Sequence, residues 1–142
     1  MIQLIVEKSI EINAPASKVW AALTKPDLSK QWIEQFWPGF GVLESDWQQG
    51  SPMRWRNASG EIDTEGKILA IEPGKLLRYS FTMPEDIVTL KLDEQNGQTV
   101  LSVIHGDFTD KPDGEECYLG AVAGWDMNLP KIKELAETAS NN

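Results

Sequence analysis

Between Trp37 and Gly106 the chain is broken by turn-forming clusters, "GSP", "NASG", "EPGK", "MPED" and "EQNGQ", at a spacing of roughly ten residues. The segments between them alternate. Leu77, Tyr79, Phe81 and Met83 share one parity against Arg78, Ser80 and Thr82; Val88, Leu90 and Leu92 oppose Thr89, Lys91 and Asp93; Leu101, Val103 and His105 share another. Successive strand side chains point to opposite faces, so this region predicts an antiparallel meander with one apolar face. Such a face needs a cover. The one long amphipathic stretch runs from Asp113 to about Thr138, where Tyr118, Val122, Trp125, Leu129, Ile132 and Ala136 recur at spacings of four and three. Pro130 lies within it and should kink the helix. In "MRWR", Met53 and Trp55 share a parity and should face that helix, with Arg54 and Arg56 outside.

Residues 2–12 alternate as a half-buried strand, with Val6, Ile10 and Ile12 inward. A change of period at "NAPASKVWAALTKPD" predicts a helix with Pro15 in its first turn, Asn13 near its cap and Pro26 as its stop. Asp27 could cap a second short helix carrying Leu28 and Trp32. Trp20 and Trp32 fit helix-to-sheet packing, and Gly66 inside its strand suggests a bulge or bend. The expected architecture is therefore α+β: a curved antiparallel sheet of about six to seven strands around a long C-terminal helix, with two short helices after the first strand. Its 142 residues fit one domain spanning 1–142, long enough to bury roughly two thirds of the unfolded surface.

The net charge of −9 repels phosphate backbones and anionic lipid, which argues against nucleic-acid and membrane-surface partners. The N-terminal "MIQLIVEKSIEI" reads as neither a signal peptide nor a membrane span, and the lone cysteine, Cys117, allows no internal disulfide. A cytoplasmic location is expected.

"SIEINAPASKVWAALTKPDLSKQWI", "GSPMRWR…GEIDTEGKILAIEPGKLLRYSF", "TVLSVIHGDF" and "GWDMNLPKIKELAE" together resemble the homologues of the activator of the heat-shock-protein-90 ATPase, within the START-like, birch-pollen-allergen-like superfamily. The resemblance implies a helix-grip fold with a cavity between sheet and long helix. It also implies that Met53, Trp55, Phe81, Met83, His105, Tyr118, Val122 and Trp125, by parity or helical phase, are the candidate ligand-binding residues. Nothing in the chain matches the separate N-terminal domain with which the eukaryotic co-chaperone contacts its chaperone, so a chaperone partner is not expected.

No metal or cofactor motif is present: one His and one Cys are too few, and no H-E-x-x-H, phosphate-binding loop or dinucleotide fingerprint occurs. His105 could act as a general base or as a hydrogen-bonding group at the cavity, and no nucleophile pattern accompanies it. Cys117, beside Glu115 and Glu116, reads as an ordinary thiol. The acidic run Asp107, Asp110, Asp113, Glu115, Glu116 lacks calcium-loop spacing and suits a helix N-terminus. The expected function is binding of a small, largely apolar molecule, oriented by His105 or Tyr118. A cyclase-, dehydratase- or hydrolase-type enzyme using the same pocket and a protein-interaction module are the alternatives. A homodimer is left open.

Overall fold

The computed structural model describes residues 4–81, 83–109 and 111–139, without the side chains of residues 83–85 and 139. The elements run β1 (Val6–Ile12), α1 (Ala16–Thr24), α2 (Pro26–Ile33), β2 (Phe40–Ser45), β3 (Pro52–Asn57), β4 (Ile62–Glu72), β5 (Leu76–Phe81), β6 (Met83–Gln95), β7 (Gln98–His105) and α3 (Gly114–Ala139). Seven strands form one curled antiparallel sheet in the order β1-β7-β6-β5-β4-β3-β2. Each consecutive pair from β2 to β7 is a hairpin, and β1 closes the sheet by pairing with β7 from Val6↔His105 to Ile12↔Thr99.

The alternation holds along β3, β6 from Val88 onward and β7, whereas in β5 Ser80, expected on the outer face, is buried, and Thr82 and the Met83 side chain lie outside the described residues. Val88, Leu90, Leu92, Leu101 and Val103 are buried on one face, and Arg54 and Arg56 lie on the other, bonded to Glu44 and Glu65. The bend in β4 differs from expectation. Its register shift against β5 falls at Leu69, between Ile68 and Ala70, not at Gly66. Gly66 instead permits a close approach, because a Cβ there would sit 1.8 Å from the Ser80 carbonyl oxygen. A second irregularity lies between β5 and β6. Pairing jumps from Ser80↔Ile87 to Phe81↔Met83, so residues 84–86 of β6 have no register partner on β5.

The helix starts also differ in detail. Asn13 does not cap α1; the Ala16 N–H donates instead to Glu94 Oε1 on β6, 2.6 Å away, so a strand carboxylate caps the helix from across the fold. Pro26 both ends α1 and opens α2, where a missing N–H costs nothing, and Asp27 lies in the first turn rather than at the cap.

Helix α3 packs most closely on α1, β1 and α2 and stands away from the middle of the sheet. Polar ties hold it against β1. Lys8 Nζ lies 2.6 Å from Asp126, Lys133 Nζ donates to the Glu11 carbonyl, and the Asn13 N–H donates to Glu137 Oε2 at 2.8 Å. The Lys133 side chain and that Asn13 amide hold the Glu137 carboxyl below the ordinary glutamate value of 4.5. A carboxylate lowered by folding stabilises the protein above its unfolded pKa, and the contribution disappears as pH falls through the folded value. Glu137→Gln is therefore expected to flatten the acid side of a melting-temperature profile between about pH 6 and pH 3 and to leave neutral and alkaline behaviour parallel to wild type. Thermal melts of the two proteins across that range test it, and superimposable acid limbs would refute it.

Candidate functional site

Because α3 is anchored at the β1 edge, the space between it and the centre of the curled sheet is not filled. A cavity of about 470 Å³ lies there. Its walls come from the sheet (Trp55, Tyr79, Phe81, Asp86, Val88, His105), from α2 and the turn after it (Trp32, Ile33, Phe36) and from α3 (Cys117, Gly120, Ala121, Gly124, Trp125, Asn128). Phe108, Lys111, Pro112 and Asp113 complete it. Phe36, Pro112, Asp113 and Gly120 are exposed, which marks the mouth between the turn after α2 and the first turns of α3.

The rings of the wall touch one another in sequence. Trp55 meets Phe81 edge-on with centroids 4.9 Å apart and Tyr79 at 5.9 Å. Phe81 lies 6.4 Å from His105 at 81°, His105 lies 6.4 Å from Trp125, and Trp125 lies 6.3 Å from Trp32. Tilted and edge-on contacts of this kind suit the ring quadrupoles and hold the wall in place. The Trp32 indole N–H donates to the Ala22 carbonyl at 2.9 Å, which fixes that ring to α1.

The polar centre of the wall is an Asp86–His105–Trp125 chain. His105 Nε2 is 2.7 Å from Asp86 Oδ1, and the Trp125 Nε1–H donates to His105 Nδ1 at 3.1 Å. All three residues are buried. An indole N–H can only donate, so Nδ1 must accept and carries no proton while that bond is made. The proton of the neutral ring is then on Nε2, where it donates to the Asp86 carboxylate. Asp86 reaches this position through the β6 irregularity: Val88 pairs with His105, and Asp86 lies two residues earlier on the same face. Burial, with the Asp86 charge adding to it, pushes the Tyr79 phenol well above its ordinary value of 10, so it stays a neutral donor.

At the mouth, burial and then the Asp113 carboxylate push the Cys117 thiol upward, which keeps it protonated and a poor nucleophile. The Lys111 ammonium lies 5.4 Å over the Phe108 ring. Among the described residues no group of three or more His, Cys, Asp or Glu could hold a metal ion, and Asp110 lies outside them. No helix among the described residues is long and apolar enough to cross a membrane.

Of the residues singled out from the sequence, Trp55, Phe81, His105 and Trp125 line the cavity. Met53 is on the same face but fully packed in the core, and the larger Trp55 two residues on reaches the open space. Tyr118 and Val122 pack half-buried on the flank of α3. The Met83 side chain lies outside the described residues. Trp32, expected only to pack helix on sheet, is itself part of the wall. Asp86 could have been found, since it continues the inward parity of Val88, Leu90 and Leu92, but the "MPED" run reads as a turn.

Residues 13–137 match the family described as Activator of Hsp90 ATPase homolog 1-like protein. The chain belongs to this family. Its fold recurs in solved structures. Protein MLL2253 from Mesorhizobium loti is 25% identical over 94% of this chain and 97% of its own, with a TM-score of 0.76. The Aha1 protein of Colwellia psychrerythraea, solved in solution as a dimer, is 22% identical over 96% and 97%, with a TM-score of 0.71. DynU16, from the dynemicin biosynthetic locus, is 24% identical over 96% of this chain and 48% of its own, with a TM-score of 0.69. No curated protein matches the chain.

Proposed function

We propose that this protein, acting as one domain in the cytoplasm, binds a small, largely apolar molecule in the cavity between its sheet and α3. The observation that carries this reading is the cavity itself: about 470 Å³, within the range of small-molecule sites, walled by aromatic rings and bordered by exposed residues at Phe36, Pro112 and Asp113. Burial of apolar ligand surface would drive binding at roughly 25 cal/mol per Å² before ordering costs. His105 anchors the wall in this reading; Tyr118 does not line the cavity and is replaced by Tyr79 as the nearby phenol. Binding fits the site better than acid–base catalysis does, because His105 uses one ring nitrogen on Asp86 and the other on Trp125.

Native mass spectrometry of protein purified gently from its own host tests the proposal. The expected result is an adduct that vanishes on denaturation. A bare mass, together with failure of a cavity-sized aromatic probe such as 2-naphthol to bind, would overturn it. The same spectrum reads the assembly state, for which the dimer of the Colwellia relative sets the expectation.

A further inference from the structure

We infer that the molecule this cavity takes is neutral and carries a hydroxyl or N–H donor, which the side-chain carbonyl of Asn128 accepts. This rests on the binding reading above and adds the ligand's polar chemistry to it. Asn128 lies on α3, is 3% exposed and forms part of the cavity wall. Its Oδ1 has no hydrogen-bond partner among the described residues. Other polar groups of the wall are already engaged, His105 with Asp86 and Trp125 and the Trp32 indole with Ala22. A buried acceptor left unmade is destabilising, and asparagine is a poor helix former, so neither packing nor propensity accounts for Asn128 between Trp125 and Leu129. As placed, Asn128 Oδ1 is closed off from solvent; a half-turn of the amide about its Cβ–Cγ bond exchanges its oxygen and nitrogen without moving the helix, and in that orientation the carbonyl is the end offered to a ligand donor.

The charges argue for a neutral partner. The wall carries the Asp86 carboxylate, the protein as a whole carries −9, and an ammonium brought inside would have to shed its hydration. Against the single cationic lining residue, Lys111, whose ammonium lies over the Phe108 ring, the cavity sets two carboxylates, Asp86 and Asp113, so an anion gains no net positive charge there. The ligand class is thus a cyclic or aromatic alcohol, phenol or amide.

The test compares 2-naphthol with 2-methylnaphthalene, which replaces the donor by a methyl group of similar size, by equilibrium dialysis against wild type and Asn128→Leu. The preference of wild type for 2-naphthol is expected to exceed that of the variant by about tenfold. Asn128→Ala provides the same comparison if the leucine variant does not fold. Equal preferences in wild type and variant would overturn the inference and leave the cavity reading standing. Failure of both probes to bind wild type would remove the cavity reading and the inference together. Ligand-free Asn128→Leu is expected to melt no lower than wild type; a fall of more than about 5 °C would mean that the amide serves the fold, and would count against the inference.

Discussion

His105→Leu is expected to cost about 3–5 kcal/mol, seen as a fall of about 10–20 °C in melting temperature, while His105→Gln recovers most of the loss. Leucine nearly matches the imidazole in bulk, so the cost comes from hydrogen bonding and not from an enlarged cavity. It takes from the buried Asp86 carboxylate a donor 2.7 Å away, and it leaves the buried Trp125 indole N–H without its acceptor. A glutamine side chain offers one donor end and one acceptor end, the same pair the neutral ring presents. The two variants therefore separate two roles. If His105 is there for its hydrogen-bond pattern, His105→Gln keeps both stability and ligand binding. If it is there to move protons, the glutamine variant folds and binds but loses any turnover. A melting temperature for His105→Leu within about 3 °C of wild type would mean that the Asp86–His105–Trp125 chain contributes little to the fold.

The sheet, the helices and their order are legible because half-buried strands and amphipathic helices carry large apolar residues at fixed periods, and those periods survive any cavity. The cavity is less legible, for a physical reason. Parity states which face of a strand looks inward, but not where along that face atoms are missing, and so Met53 and Trp55 cannot be told apart although one is core and the other is wall. On α3 the difficulty is sharper. An apolar stripe drawn through Tyr118, Val122 and Trp125 follows the bulky residues, whereas the face toward the cavity runs through Cys117, Gly120, Ala121, Gly124, Trp125 and Asn128. Open space is signalled by small side chains, which a search for large ones passes over. Asp86 was hidden differently, since Pro84 and the acidic pair after it read as a turn while the strand continues through them. The cap on α1 comes from Glu94, whose distance in sequence from Ala16 leaves no local trace.

A leucine in place of Gly124 is expected to weaken 2-naphthol binding by more than tenfold, while an alanine there raises stability by about 0.5–1 kcal/mol. Neither Gly120 nor Gly124 has a positive φ, and a Cβ built on either meets nothing within 4 Å, so neither backbone strain nor close packing calls for glycine. Each nevertheless costs helix stability relative to alanine. The feature they share is the cavity, and keeping it open is the function that would justify the loss. Gly124→Leu sends a four-carbon side chain toward space now empty, which should raise the melting temperature through new apolar contact even as it excludes a ligand. Stability and binding are thus expected to move in opposite directions from wild type through Gly124→Ala to Gly124→Leu. Calorimetric melts and dialysis on the same three preparations decide the matter. If Gly124→Leu binds 2-naphthol as wild type does, the ligand occupies some other place; if Gly124→Ala is less stable than wild type, the glycine serves the fold and not the opening of the cavity.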